Sequence, residues 1–166
     1  MDILLSIPIL VIVSVLQMAV FSRLSVMHGS ADLLLLVLAS WGLHEKAKKI
    51  YIWAIIAGLL ISFVSAQPFP LPLVTYLFIA WLTRLMHGRI WQSPILAVLI
   101  ITIIGTLIQH LTLIGYSQFT TTPLPFQLSL QQVTLPSIFL NLIAVLPVYV
   151  IVRDLEKSVY RDELYE

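Results

Sequence analysis

Residues 94–116 read PILAVLIITIIGTLIQHLTLIGY, a run of 23 residues without Asp, Glu, Lys or Arg. A helix of about 20 apolar residues spans the roughly 30 Å hydrocarbon core of a bilayer, so this run predicts a transmembrane helix. Five further apolar runs lie at residues 3–21, 31–43, 50–66, 71–86 and 135–152. The chain is therefore predicted to be an all-α polytopic membrane protein, with six transmembrane helices in a single membrane-embedded domain over residues 1–166.

The composition also indicates that the chain lies in a lipid bilayer. Hydrophobic residues make up 60% of the chain and charged residues only 10%, whereas soluble domains carry about 25% charged residues. Such a chain cannot cover itself with polar surface in water. The basic residues fall in short clusters between apolar runs, which argues against nucleic-acid binding. The sequence holds no cysteine, so it offers no disulfide and no thiolate metal site.

The distribution of Lys and Arg predicts the orientation. With the N-terminus in the cytoplasm, eight of the nine basic residues fall in inner segments. They are Lys46, Lys48, Lys49, Arg84, Arg89, Arg153, Lys157 and Arg161. This asymmetry favours six crossings with both termini cytoplasmic, in a bacterial inner membrane. Trp41, Trp53, Trp81 and Trp91 lie near the inner helix ends, where aromatic anchors are expected.

The second apolar run is short, which predicts a helix held by its neighbours rather than by lipid. Asp32 opens this helix, where a carboxylate can cap free N–H groups and favour the positive end of the helix dipole. Arg23 is the one outer basic residue and is a candidate partner for Asp32; contact with another protein is the alternative. Three prolines at residues 68, 70 and 72 predict a tight extended connection, and Pro147 predicts a kink in the last helix.

Small side chains recur every four residues in the third run, at Ala54, Gly58, Ser62 and Ala66. Such a stripe lets helix backbones approach closely in lipid. Packing inside the bundle is the expected role, and contact with another protein is the alternative.

The fifth run carries one polar and small face. It consists of Thr102, Gly105, Thr106, Gln109 and His110, at spacings of i, i+3, i+4, i+7 and i+8. A polar group in hydrocarbon needs a partner, so this face is predicted to point inward, toward groups such as Gln17, Asn141 or Ser14. His110 is expected to be a hydrogen-bonded core residue rather than a ligand or proton carrier.

No catalytic motif is present. The sequence lacks a G-x-S-x-G elbow, a phosphate-binding loop and a pair of intramembrane carboxylates. The histidines have no metal-ligand spacing. We therefore expect no enzyme activity, no metal and no cofactor. The uncharged segment between the fifth and sixth runs, residues 117–134, is expected to be a connector on the outer membrane surface, with a docking surface for an extracytoplasmic partner as the alternative.

Residues 17–36, QMAVFSRLSVMHGSADLLLL, closely resemble the start of the rod shape-determining protein MreD family. That family typically has a glutamine late in its first helix, an outer loop with glycine, and Pro-Asp before a leucine run. Here Ala31 replaces the proline. Further matches are Gly58-Leu-Leu before Pro68, and Asn141 with Pro147-x-Tyr149 running to Arg153. Ser62 stands where many relatives carry Asp, so no role of that carboxylate is carried over.

The resemblance implies a non-enzymatic scaffold of the rod complex, or elongasome, which supports lateral peptidoglycan synthesis and rod cell shape. Its implied partners are the bitopic protein MreC, the RodA glycosyltransferase with its penicillin-binding transpeptidase, and the MreB filament. The implied fold is that of the substrate-binding component of energy-coupling-factor transporters, and a vitamin-transporter component is the alternative function. The residues expected to contribute to MreC binding are Gln17, Arg23, Leu24, Asp32 and Leu36.

Overall fold

The computed structural model describes residues 2–21, 27–44, 47, 49–65, 67–87, 93–120 and 123–160. Helix α1 (Asp2–Leu16) continues as a first π-helical turn (Gln17–Phe21). The later helices are α2 (Leu33–Gly42), α3 (Ile50–Val64), α4 (Pro70–Met86), α5 (Pro94–Ser117), α6 (Phe126–Ser129) and α7 (Leu135–Tyr160). A second π-helical turn (Leu130–Thr134) joins α6 to α7, so that residues 126–160 form one helical stretch. The predicted count of six helices is confirmed.

The last helical stretch is where the predicted boundaries are most wrong. It begins at Phe126 rather than at residue 135, and it continues to Tyr160 rather than ending at 152. The expected connector is therefore helical from residue 126 onward. Glutamine, serine and threonine lower the hydropathy of this part, but they do not prevent a helix. Pro70 and Pro72 also differ from expectation, because they lie in the first turn of α4, where a missing N–H costs nothing.

Helix α2 lies at the centre of the bundle, and all ten of its residues are buried. It packs against α1, α3, α4, α5 and α7. Around it these five helices pack in the order α1, α3, α4, α5, α7, each against the next. Within the described residues, α7 and α1 make at most marginal contact, so the ring is open between its last and first members. The prediction that α2 is held by its neighbours is confirmed.

Two tryptophans predicted to anchor the protein at the membrane interface lie in the core instead. Trp41 and Trp53 are 2% and 1% exposed. Their rings stack with centroids 4.4 Å apart, which joins the end of α2 to α3. Trp81 is 48% exposed and remains a candidate anchor, and Trp91 lies outside the described residues. Position near a helix end did not distinguish a ring facing a neighbouring helix from one facing lipid.

By length and apolar composition, two described helices can cross a membrane. They are Pro94–Ser117 and Phe126–Val159. The other apolar helices are shorter, with 15 residues in α1, 10 in α2, 15 in α3 and 17 in α4.

Candidate functional site: a buried polar cluster and an open apolar groove

Asp32 caps the central helix, as predicted. Its backbone is extended, with φ −109° and ψ 95°, and its Oδ1 accepts a hydrogen bond from the N–H of Leu35 at 3.0 Å. This geometry satisfies one of the N–H groups left free at a helix N-terminus. The residue is only 7% exposed, so its carboxylate lies inside the bundle.

The second carboxylate oxygen of Asp32 joins two further helices to the cap. The hydroxyl of Tyr76 on α4 and Nε2 of Gln109 on α5 each donate to Oδ2 at 2.8 Å. These donors are neutral, and the N-terminal dipole of α2 contributes additional stabilisation to the negative charge. The predicted partner Arg23 lies outside the described residues, as does Leu24.

The polar face of α5 points inward, as predicted. Asn141 of α7 donates from Nδ2 to Thr106 Oγ1 at 2.8 Å, and its Oδ1 accepts the backbone N–H of Asp32 at 2.8 Å. Thr106 Oγ1 in turn donates to the carbonyl of Thr102, one helical turn away. Gly105 lets α5 approach the side chains of Ile79 and Leu35. We call this set, Asp32, Tyr76, Thr106, Gln109 and Asn141, the Asp32 cluster.

Two other predicted contacts of that face are different in the structure. Gln17 Oε1 accepts the N–H of Leu34 at 3.3 Å, so it helps to cap α2. Ser14 donates to Leu10 within its own helix. Leu36 is fully buried, and Asp32 is nearly so. Their side chains are therefore not available for direct contact with a partner. Any contribution to partner binding would act through the first turn of α2, where the N–H of Leu36 bonds to the carbonyl of Asp32.

His110 lies half-buried beside the cluster. Its Nδ1 is 3.1 Å from Thr134 Oγ1, in the second π-helical turn. Thr134 Oγ1 also lies 3.4 Å from the carbonyl of Ser129, five residues earlier. This environment fits the expected core role. Among the described residues, no three carboxylate or histidine side chains come together as a metal site would require.

The small-residue stripe packs inside the bundle, against α4. Ala54 is fully buried. A Cβ built on Gly58 would lie 2.7 Å from the Cα of Leu73. Ser62 Oγ bonds to the carbonyls of Gly58 and Phe69, at 2.7 and 2.9 Å. The stripe thus lets α3 and α4 pack backbone to backbone, and Ala66 lies outside the described residues.

Sequence reasoning missed two long-range contacts. At the Asp32 end, a Cβ on Gly29 would lie 2.6 Å from the backbone N of Ser137, and Ser137 Oγ accepts the N–H of Ser30 at 3.1 Å. At the opposite end, His44 Nδ1 lies 2.6 Å from Glu156 Oε1. These contacts tie both ends of α2 to α7. The glycine in the predicted outer loop was the one signal that could have indicated such a close approach.

An apolar groove of about 430 Å³ occupies the opening between α7 and α1. One wall comes from α1 and the other from α7, and α2 forms the floor. Its lining includes Ile9, Val13, Leu33, Val37, Ala144 and Val148. On α7 it extends from Ile143 to Leu155, which is about 18 Å along the helix axis. All lining side chains are hydrophobic apart from the indole N–H of Trp41.

The family model for the rod shape-determining protein MreD matches residues 2–159, nearly the whole chain. Neither a curated protein nor a solved structure matches significantly, so the expected likeness to the transporter component has no support. The family is a shape-determining component and not a known enzyme family. From this match, the chain belongs to the MreD family of membrane proteins and has a role in rod shape determination.

Proposed function

We propose that this protein is a non-enzymatic scaffold of the rod complex, and that it binds the transmembrane helix of MreC at the open side of its helix ring. The observation that carries the proposal is the groove between α7 and α1, which lies where a further ring helix would pack. Family membership supports shape-complex partners in general. MreC is the partner that we assign to this opening.

The dimensions of the groove fit one row of side chains. A volume of about 430 Å³ over about 18 Å gives a mean cross-section of about 24 Å². A whole helix is about 10 Å in diameter, so it does not fit inside. Helices pack with axes 8–10 Å apart, with the ridge of one in the groove of the other. A single-span helix would therefore insert its ridge between α7 and α1 and leave its other face to lipid or to further partners.

The Asp32 cluster supports this function indirectly. Its hydrogen bonds join α2, α4, α5 and α7 and keep the floor and one wall of the groove in fixed relation. This protein would contact the other partners either through MreC or through the face of the bundle that MreC leaves free. These partners are the RodA glycosyltransferase, its penicillin-binding transpeptidase and the MreB filament. The topology in this proposal has six crossings of the inner membrane and both termini in the cytoplasm. The vitamin-transporter alternative lacks a comparable observation, because the groove offers little to recognise a polar molecule.

Co-purification with MreC in detergent tests the proposal. Ala144→Trp and Val13→Trp fill the groove from α7 and from α1. Leu146→Trp is the matched control, because Leu146 is 47% exposed on α7 and does not line the groove. We expect at least a tenfold loss of retained MreC in both groove variants and wild-type retention in the control.

Thermal unfolding in detergent shows whether the variants still fold. Undiminished MreC retention in both folded groove variants would disprove the assignment of the groove. Failure of the wild-type protein to retain MreC would disprove the scaffold function itself.

A further inference from the structure

The faces of the bundle differ in the length of apolar helix that they present to the membrane. Helix α3, with 15 residues, is about 22 Å long, and α4, with 17 residues, is about 25 Å long. The hydrocarbon core of a bilayer is about 30 Å thick. Helix α5, with 24 residues, reaches about 36 Å. The pair α3 and α4 is thus too short for an undisturbed bilayer, whereas α5 is not.

The exposed hydrophobic side chains show the same difference. On α3 they extend from Tyr51 to Val64, which is about 20 Å along the helix. On α5 they extend from Ile95 to Tyr116, about 31 Å. On α7 alone they extend from Leu135 to Leu155, about 30 Å. The lipid-facing belt is therefore about 10 Å lower beside α3 than beside α5 and α7.

The short pair cannot gain height by moving. Tilting a helix lowers its projection on the membrane normal. Sliding α3 along α4 is resisted by the close contact of Gly58 with the Leu73 backbone. Polar groups also limit α3 at both ends. Lys49 precedes this helix, and Ser65 and Gln67 follow it. Backbone and polar groups in hydrocarbon are costly, so the lipid has to adapt.

We propose that the α3–α4 face binds a locally thinned bilayer, and that the protein thereby creates a thickness gradient between this face and the α5–α7 face. The lipids beside this face have acyl chains that form a thinner hydrocarbon layer than in the undisturbed bilayer. This inference rests on the proposed membrane topology and is independent of MreC binding.

Spin labels at single cysteines test the inference, since the chain has no cysteine of its own. The purified protein is placed in dioleoylphosphatidylcholine vesicles without any other protein. Depth is measured by collision with oxygen, which favours hydrocarbon, and with a water-soluble nickel complex. Tyr51→Cys and Phe63→Cys mark the two ends of α3, and both side chains are exposed. Ile95→Cys and Tyr116→Cys are the matched pair on α5.

We expect all four labels to lie near the edge of the hydrocarbon, although the two sites on α3 are only about 18 Å apart along the helix and those on α5 about 31 Å. Phe69→Cys and Leu85→Cys on the α4 side provide a second pair if an α3 variant misfolds. A label of the α3 or α4 pair in the oxygen-rich hydrocarbon, with the α5 pair at opposite surfaces, would overturn the thinning alone. An α5 pair on one surface would overturn the topology and the thinning with it.

Discussion

Asp32 shows how one carboxylate can organise the interior of a membrane protein without a described cationic partner. Its two oxygens accept one backbone and two side-chain hydrogen bonds, and its own N–H is bound by Asn141. A buried charge is costly unless it is hydrogen-bonded, and hydrogen bonds to charged groups are stronger than neutral ones. The residue therefore serves as the junction of four helices.

Replacing Asp32 tests this role. Asp32→Ala removes the helix cap and leaves Tyr76 and Gln109 without their acceptor. A cap contributes about 1 kcal/mol and a buried group left unbonded costs about 1–3 kcal/mol. We expect the free energy of unfolding in detergent to fall by at least about 2 kcal/mol. Asp32→Asn should lose less, because its carbonyl can still cap α2.

Asp154→Ala is the matched control, because Asp154 is an exposed carboxylate on α7. Its effect should stay within about 0.5 kcal/mol, as is usual for surface substitutions. Equal destabilisation by Asp32→Ala and Asp154→Ala would contradict the role of the cluster.

The sequence supported part of this site and not the rest. The cap at Asp32 and the inward face of α5 could be predicted, because both follow from local spacing and from the cost of polar groups in lipid. The bond from Tyr76 could not. Tyr76 lies in a mostly apolar run, 44 residues from Asp32, and nothing local to either residue encodes their proximity.

At the scale of elements, close helix packing depends on glycine at positions where a side chain would clash with the neighbouring helix. Gly58 and Gly115 are both helical glycines, but their surroundings differ. A Cβ on Gly58 would meet the Leu73 backbone at 2.7 Å, whereas a Cβ on Gly115 would meet nothing within 4 Å. The first glycine allows α3 and α4 to pack closely, and the second has no such role.

This contrast gives a paired prediction. Gly58→Ala should lower the free energy of unfolding by about 1–3 kcal/mol, because an overpacked site forces backbone shifts. Gly115→Ala should be neutral or stabilising by up to about 1 kcal/mol, since alanine is the better helix former. Thermal unfolding of both variants in the same detergent measures the difference. A stabilising Gly58→Ala would show that α3 and α4 do not pack as described.

Element boundaries were predictable where hydropathy changes sharply. The predicted range 94–116 agrees with Pro94–Ser117 to within one residue. The start of the last helical stretch was not predictable in this way. Its first turns contain polar residues, and their helical form is supported by contacts such as that between the N–H of His28 and the carbonyl of Gln132.

At the scale of the whole molecule, the bundle is a ring of five helices around α2 with one opening. The other neighbouring pairs in the ring pack against each other, and the opening holds the apolar groove. In the proposed topology, the distribution of Lys and Arg along the chain sets which end of this ring faces the cytoplasm, whereas the opening follows from how the helices pack.

The orientation can be measured with a membrane-impermeant thiol reagent on intact cells. Gln67→Cys and Phe119→Cys should react from outside, because both positions fall in segments with no basic residue. Lys157→Cys should react only after permeabilisation, because it belongs to the basic inner tail. Phe119 is 91% exposed, so the reagent should reach a cysteine at this position. Reaction of Lys157→Cys in intact cells would reverse the proposed orientation.

The opening lies between the first and last long helices of the chain, and this has a consequence for synthesis. The ribosome synthesises α1 before the other helices and α7 after them, so the two walls of the groove are made at different times. A chain that stops before α7 has the floor and one wall but no complete docking surface. A partner that recognises the groove would therefore bind only after α7 has packed beside α2.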